Sequence, residues 1–473
     1  MAGFDDDVYF ATIGELSAKL RAREFTAREL AEAFVERLEE RGPRYNALAV
    51  SMGQAASRAA RDVDGDLQRE RFRSPLQGIP FAVKDLLAVR GHPTTWGARP
   101  FAAQVLDYDA TAVRKLTGVG GILTGKLAMV ELAGGGGYRI AGASMFGPGL
   151  NPWDPAHWSG GSSSGSGSAV AAGLVPYALG SETSGSILTP AAFCGVTGLR
   201  PTYGLVSRFG AMPLSWTLDK IGPMCRSAED CGLVLQAISG GDSNDPGSAG
   251  KSFFYAPQYQ REMKDIKVGF APADWSDLAA EEARPAFQEA FGVMKSIGIE
   301  LKEVKLPDYP HGPLVGTIIG AEAASIFEEF IRSGQVNQLE DPYQIAGLKA
   351  SLDISAGDYL RAQRVRTRLR ADFRKLFADV EVLLAPARYS PAPKVAEPLT
   401  GPAGGDPPAD PGMSGLIPAG NLCGFPALSV PCGFAGKLPV GLQLVGRPYT
   451  ENLLLAVGNE FQKRTDWHRK RPI

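Results

Sequence analysis

Two clusters of serine and glycine lie close together in the sequence and could supply a nucleophile with backbone amides around it. The first spans residues 159–168 and the second residues 180–186. By composition alone, such runs are typical of flexible linkers. The first cluster, however, passes directly into an alanine-rich helix start, and both lie between segments with ordered patterns. Small residues at both places would let two backbone segments approach closely and present hydroxyl and amide groups to one point.

A serine nucleophile needs a base, and the histidines of this chain are poorly placed to act as one. The four histidines are His92, His157, His311 and His468. None lies in a motif that would set it over a serine, and no Gly-x-Ser-x-Gly elbow of the α/β-hydrolase kind joins a strand to a helix. A Ser-His-Asp arrangement is therefore an open alternative without support. A desolvated lysine is the usual replacement for histidine.

Lys84 is the best candidate for such a base. It ends an apolar, strand-like run at residues 79–83, where burial would lower its pKa toward neutrality. The alternative interpretation is a lysine that merely extends from a strand end to solvent, as isolated lysines usually do.

Alternating helices and strands must position these residues. Residues 26–29 look like a capping box that opens a helix, and residues 52–71 have the pattern of an amphipathic helix. A helix over 110–117 leads through glycines into a strand over 122–126, the rhythm of a parallel sheet. We therefore expect one large α/β domain, in which a central mixed, largely parallel twisted sheet is covered by helices on both faces.

Composition excludes several other classes of protein. The chain has 473 residues, 44% of them hydrophobic and 21% charged, with a net charge of −2, which is typical of a globular protein and not of a nucleic-acid-binding surface. Without a run of about 18 apolar residues or a signal peptide, we expect a cytoplasmic protein with no membrane contact. Five irregularly spaced cysteines favour buried thiols in a reducing compartment. We predict neither a metal nor a cofactor.

Two later segments bear on the surface of the protein. Residues 359–366 are strongly basic, and we interpret them as a solvated helix face. Residues 386–412 are rich in proline, alanine and glycine without periodicity. They predict a long loop, and loops of this length in compact domains are more often functional than idle.

The chain closely resembles the amidase signature family in five motifs. They are G-I-P-F-A-V-K-D at 78–85, G-G-S-S-S-G-S at 160–166, G-S-E-T-S-G-S-I at 180–187, P-A-A-F-C-G-V-T-G-L-R-P-T at 190–202 and P-V-G-L-Q-L-V-G at 439–446. The resemblance extends over nearly the whole chain, and the 24-residue separation of Ser162 from Ser186 is the one this family keeps. It implies one domain over 1–473, divided into a helical N-terminal segment (1–72), a catalytic core (75–240), a mainly helical portion (265–380) and a return to the sheet (381–473).

The resemblance implies a catalytic role for each of the three polar residues. Ser186 would be the nucleophile and form an acyl-enzyme with an amide substrate. Ser162, which in this family follows a cis peptide bond, would relay a proton between Ser186 and Lys84. Neutral Lys84 would act as the base and later help to protonate the leaving amine. The oxyanion hole would be formed by the backbone amides of Thr183, Ser184, Gly185 and Ser186.

The chain departs from the family pattern at two positions near the nucleophile. Many relatives have glycine where Ser184 stands, a change that keeps the amide. Many also have arginine at the position of Leu188, and its loss weakens the case for an acidic or glutamine-like substrate. By position relative to the motifs, substrate recognition falls to the 386–412 loop and to four further residues, each of which could equally be structural. These four are Gly136, Gly137, Tyr138 and Trp216.

Two functions remain open on the resemblance. The first is a stand-alone hydrolase of small amides, anilides or carbamates, with a small-molecule substrate as its only required partner and with a homodimer as an expected assembly. The second is the glutamine-hydrolysing component of a tRNA-dependent amidotransferase, which works with partner subunits. The absence of arginine at Leu188 favours the first function. Motif and fold do not by themselves determine the substrate, so the second function stays open.

Overall fold

An eleven-stranded sheet runs through the computed structural model, which describes residues 4–256, 262–399 and 410–472. The strands are β1 (Leu48–Ser51), β2 (Pro80–Lys84), β3 (Ile122–Leu127), β4 (Leu150–Asn151), β5 (Asp154–Trp158), β6 (Tyr177–Glu182), β7 (Thr197–Arg200), β8 (Lys220–Cys225), β9 (Lys267–Phe270), β10 (Glu300–Glu303), β11 (Val382–Pro386), β12 (Ala427–Ala435) and β13 (Leu438–Gly446). Strands β4 and β5 form a separate small sheet.

The α-helices lie between these strands along the chain. They are α1 (Asp6–Tyr9), α2 (Ile13–Arg21), α3 (Ala27–Arg41), α4 (Gly53–Gln68), α5 (Thr111–Gly118), α6 (Ser164–Ala171), α7 (Leu188–Cys194), α8 (Ala228–Ile238), α9 (Arg284–Ser296), α10 (His311–Ile326), α11 (Glu328–Arg332), α12 (Pro342–Ser351), α13 (Ala356–Asp379), α14 (Leu416–Cys423) and α15 (Glu451–Lys463). The predicted capping box is confirmed, since Thr26 and Glu29 exchange side-chain and backbone hydrogen bonds at the start of α3.

The sheet is mixed, as predicted, but less parallel than we expected. Its strand order is β1-β3-β2-β6-β8-β7-β12-β13-β11-β9-β10. Among the ten strand pairings described within this sheet, four are parallel and six antiparallel. The parallel pairings occur in two groups, β3-β2-β6 and β11-β9-β10, where helices connect the strands. The middle of the sheet is antiparallel, and β12 and β13 form a tight hairpin there, which accounts for the smaller parallel share.

Helices cover both faces of the sheet, as predicted. Along β11, Val382 and Leu384 join one hydrophobic core, whereas Leu383 and Ala385 join another on the opposite face. This alternation is what a strand buried on both sides requires. The first core includes residues of α3, α8, α9 and α15, and the second includes residues of α10, α13 and α14.

Of three other predictions, the structure contradicts two in part and confirms the third. The N-terminal segment is not wholly helical, because β1 pairs antiparallel with β3 at the sheet edge. The basic run at 359–366 is not a fully solvated face, since Arg366 is buried and its guanidinium donates to the carbonyls of Leu422 and Thr217 at 2.6 and 2.8 Å. The five cysteines are buried and free, as predicted.

No helix in the described ranges is long and apolar enough to cross a membrane. Of the predicted 386–412 loop, residues 387–399 contain neither a helix nor a strand. Residues 400–409 lie outside the described residues, so the prediction for them stays a prediction.

Candidate active site

Lys84 lies at the carboxyl end of β2, at the centre of the parallel group β3-β2-β6. Its side chain is completely buried. The Nζ atom is hydrogen-bonded to the Ser162 Oγ at 2.7 Å and to the Ser181 Oγ at 2.9 Å. The alternative of a lysine extending to solvent is therefore wrong, and the structure joins Lys84 to the first serine cluster.

The protein environment favours the neutral form of Lys84. Burial lowers its pKa to about 7, against the opposing influence of the Asp219 and Glu182 carboxylates. A neutral amine can accept a proton, which an ammonium cannot. Lys84 is thus a base available near neutral pH, buried against a serine hydroxyl.

The two serine clusters are in direct contact, as their small residues predicted. The Ser163 Oγ accepts from the Ser181 amide and donates to the Ser181 carbonyl, both at 3.2 Å. A Cβ atom on Gly160 would lie 2.7 Å from the Cα of Pro190 in α7, so only glycine permits this approach. The peptide bond between Gly161 and Ser162 is cis, as the family resemblance implied.

Ser186 lies in the turn that connects β6 to α7, beside the loop that carries Ser162. The Ser163 amide donates to the Ser186 carbonyl at 3.3 Å. Ser186 is 7% exposed, whereas Ser162 is 0% exposed. The structure therefore brings the three residues predicted to be catalytic together in one region, with Ser186 the more accessible of the two serines.

The turn before Ser186 presents backbone amides without internal acceptors. Among the hydrogen bonds of the described residues, none uses the amides of Thr183, Ser184, Gly185 or Ser186. Gly185 has a φ of +88°, a conformation that glycine adopts without strain. Such a turn can donate to an oxyanion.

Glu182, at the end of β6, anchors this turn, and sequence reasoning did not assign it a role. Its Oε2 accepts from the amides of Ile187 and Leu188 at 2.9 and 3.0 Å. Its Oε1 accepts from the Arg200 guanidinium at 2.7 Å and from the Asn421 amide at 2.8 Å. Burial alone would raise the pKa of Glu182, but the guanidinium and the hydrogen bonds lower it to about 2.

We expect Glu182→Gln to destabilise the protein by about 3–5 kcal/mol, because Arg200 would remain buried without its counter-charge. Turnover should fall on the order of 100-fold as the turn shifts. Denaturant unfolding and steady-state kinetics measure the two effects. The pKa is lowered on folding, so the charge of Glu182 contributes stability above the ordinary glutamate range near 4.3 and loses that contribution as pH falls toward 2.

Glu451→Gln is the matched control for this prediction. Glu451 is 1% exposed and accepts from the Thr202 amide at 2.7 Å. No ion pair of the described residues includes it, and burial raises its pKa. Its substitution leaves no cation unpaired and should cost only about 1 kcal/mol. Equal losses in the two variants would show that the Arg200 pair does not anchor the turn.

Two cavities border the turn or the end of β6 before it. The first, which we call the Arg388 cavity, has a volume of about 480 Å³ and is lined by Ser184, Gly185 and Arg388 among others. The second has a volume of about 600 Å³ and is lined mainly by apolar side chains, with Ser181 and Thr183 among its polar residues. The Arg388 cavity therefore borders Ser184 and Gly185, whose backbone amides have no acceptor among the described residues.

The residues proposed from position to bind substrate lie in different surroundings. Trp216 lines the second cavity and is 51% exposed. The Tyr138 hydroxyl would lie 3.1 Å from a Cβ on Gly161, next to Ser162. Gly136 permits a close approach of α12, whose Leu348 amide would lie 2.6 Å from its Cβ. A Cβ on Gly137 would meet nothing within 4 Å.

The chain belongs to the amidase family, whose model matches residues 29–455. This confirms the resemblance that the five motifs carried. As a member of this family, the chain is an enzyme that acts on an amide C–N bond. Membership of the family extends over almost the whole chain, because full-length relatives match 98% of it.

The similar proteins include a subunit of an amidotransferase, a peptide amidase and a chain of a protein complex. The A-type subunit of glutamyl-tRNA(Gln) amidotransferase from Chromohalobacter salexigens is 38% identical over 98% of this chain and 98% of its own. The native peptide amidase of Stenotrophomonas maltophilia has a TM-score of 0.84 at 28% identity, over 98% of both chains. A chain from a vestigial protein complex linked to the origins of an s-triazine catabolic enzyme has a TM-score of 0.87 at 29% identity, over 96% of this chain and 98% of its own.

Proposed function

We propose that the protein is a serine hydrolase that cleaves the C–N bond of amides through an acyl-enzyme on Ser186, with Ser162 as proton relay and Lys84 as base. The observation that carries this proposal is the 2.7 Å contact between the buried Lys84 Nζ and the Ser162 Oγ, since burial lowers the pKa of that lysine to about 7. The difference in exposure between the serines supports the order of the relay: the more accessible hydroxyl meets the substrate.

The first half of the reaction transfers the acyl group to the enzyme. Neutral Lys84 takes the proton of Ser162 as Ser162 takes that of Ser186, and the Ser186 Oγ attacks the substrate carbonyl. The amides of the turn at 183–186 stabilise the tetrahedral oxyanion. As the oxyanion collapses, the C–N bond breaks and the proton held by Lys84 passes through Ser162 to the leaving nitrogen. The products are a free amine and an ester on Ser186.

The second half releases the acid. Water attacks the Ser186 ester while the same relay takes one of its protons, and collapse of the second tetrahedral intermediate returns a proton to the Ser186 Oγ. The carboxylic acid leaves and Lys84 is again neutral. No cofactor or metal enters this scheme.

We infer that the substrates are small amides, anilides or carbamates, hydrolysed by the chain without partner subunits. Leu188, which stands where many relatives have arginine, is completely buried in the core beside α14.

The second candidate is the glutamine-hydrolysing component of a tRNA-dependent amidotransferase, which the 38% identity to such a component favours. A homodimer and a cytoplasmic location stay predictions.

Hydrolysis by the purified chain alone decides between the two candidates. The panel holds aliphatic amides, anilides, aryl carbamates and glutamine, each assayed with the wild type and with Ser186→Ala. We expect turnover of anilides or carbamates that the variant lacks. Activity confined to glutamine, or activity that appears only when the other amidotransferase components are added, would favour the second candidate.

A further inference from the structure

The Arg388 cavity contains a cation that no described residue neutralises. Arg388 follows β11 by two positions, is exposed, and lines the cavity together with Ser184 and Gly185. Within residues 4–256, 262–399 and 410–472, no hydrogen bond or ion pair includes its guanidinium, and the titratable group that acts on it is Tyr138. The protein atoms around it lower its pKa.

Asp274, whose carboxylate is hydrogen-bonded to the neighbouring Tyr389, is not a counter-ion of Arg388. Asp274 accepts from the Tyr389 hydroxyl at 2.8 Å and from the Met413 amide at 2.9 Å. Its pKa is raised by burial to about 6, and the other charge that acts on it is Asp410. Asp274 is thus held by Tyr389 and Met413 and forms no ion pair with Arg388 among the described residues.

A second feature adds positive potential to the same cavity. The first turn of α10 reaches it through Gly312 and Val315. The N-cap residue of this 16-residue helix is Pro310, which makes no side-chain cap hydrogen bond, and among the described hydrogen bonds none uses the Gly312 amide. Helix N-termini and guanidinium groups both favour anions.

A third feature shows that the cavity is suited to a polar ligand. The Gln443 side chain is 2% exposed and lines the same space. Its amide nitrogen donates to the Pro386 carbonyl at 3.1 Å, while its Oε1 is buried with no partner among the described residues. A buried acceptor without a partner is costly, so a ligand donor such as an N–H group would complete it.

We propose that the Arg388 cavity receives the acyl part of the substrate and that Arg388, together with the first turn of α10, selects acyl groups that carry a carboxylate. This inference rests on the proposed function for the position of the scissile carbonyl at the turn. It changes the expectation raised by Leu188 in α7: the guanidinium missing at that position is replaced by one from the segment that follows β11.

Matched ligands test the inference. Glutaryl 4-nitroanilide carries a terminal carboxylate, and 5-methylhexanoyl 4-nitroanilide has an isopropyl group of the same shape in its place. We expect the wild type to prefer the glutaryl compound by about tenfold or more in kcat/KM. Arg388→Met should lower kcat/KM for the glutaryl compound by about 10- to 100-fold and change that for the neutral compound by less than about threefold. Arg364→Met, which removes an exposed arginine of α13, should alter neither.

A binding measurement keeps the inference separate from the proposed function. Glutaramate and 5-methylhexanamide are titrated calorimetrically into Ser186→Ala and into Ser186→Ala/Arg388→Met. Binding of glutaramate that the Arg388 substitution weakens at least tenfold supports the inference even if neither anilide is hydrolysed, an outcome that would instead count against the proposed function. Equal binding of both ligands, or equal loss of both in the double variant, would overturn it.

Discussion

Replacement of Ser186 by alanine is expected to abolish amide hydrolysis, with a loss in kcat of about 10⁴- to 10⁶-fold. The variant keeps the free amides of the turn and the Glu182 anchor, because neither involves the Ser186 Oγ. It lacks the hydroxyl oxygen that we propose as the site of the ester. Any remaining rate would come from substrate binding and the oxyanion hole alone, through direct attack of water.

The covalent intermediate provides the more direct readout. Intact-mass analysis of the wild type during turnover of a slow anilide should show the mass of the acyl group, and Ser186→Ala should not show it. Ser168→Ala is a suitable control, because Ser168 is a buried serine of α6 whose Oγ donates to the Leu150 carbonyl at 2.7 Å. A Ser186→Ala preparation with wild-type turnover, freed of contaminating enzyme, would show that the nucleophile is another residue.

Replacement of Lys84 by methionine is expected to lower kcat by about 10²- to 10⁴-fold, the usual contribution of a general base. The wild-type rate should rise with pH through about 7, because Lys84 accepts a proton only in its neutral form and its pKa is about 7. The residual activity of the variant should lack this rise. A pH profile of kcat/KM for both proteins measures the difference, and an unchanged profile in the variant would exclude Lys84 as the titrating base.

The same substitution has a predictable effect on stability. In the folded protein Lys84 loses its proton near pH 7, whereas in the unfolded chain a lysine keeps it to about pH 10.4. Between these values the unfolded state binds one more proton, so the free energy of unfolding of the wild type rises with pH by about 1.4 kcal/mol per unit. Relative to Lys84→Met, the wild type should therefore gain stability from pH 7 to pH 10.

Lys126→Met distinguishes the proposed base, Lys84, from a lysine with a structural role. Lys126 on β3 is also completely buried, but its Nζ pairs with the Asp85 carboxylate at 2.8 Å and donates to the Pro93 carbonyl at 2.7 Å. Its loss leaves Asp85 buried and unpaired, so we expect a loss of stability of about 3–5 kcal/mol. The rise of activity with pH should persist in whatever fraction folds.

The contrast between these two lysines shows how burial acts on a base. Lys126 has a carboxylate beside it, whereas Lys84 has two serine hydroxyls. Hydroxyls can hydrogen-bond either form of an amine but do not offset the loss of hydration of an ammonium. The site therefore maintains a neutral lysine at a cost in stability, which is a known compromise at functional sites.

Residue types and spacing were sufficient to predict the candidate catalytic residues. The motifs around Lys84, Ser162 and Ser186 are local, and small residues reveal close backbone approach even when the partner segment is unknown. Glu182 lies inside the second serine cluster, at 180–186, yet was not assigned a role. Its role as the anchor of the turn depends on Arg200, 18 residues away, and on Asn421, 239 residues away. A local sequence pattern does not indicate partners at such distances.

Three features could be predicted from the amino-acid sequence: the α/β class, the buried strand that ends at Lys84, and the contact between the two serine clusters. They depend on periodicity and on side-chain size over short segments. The antiparallel centre of the sheet, the burial of Arg366 and the position of Arg388 in the cavity at the turn are seen only in the folded protein. Strand direction, burial and charge compensation are set by segments distant in sequence. They depend on which distant segments pack together and remove each other's surfaces from water, and a local sequence pattern does not specify those partners.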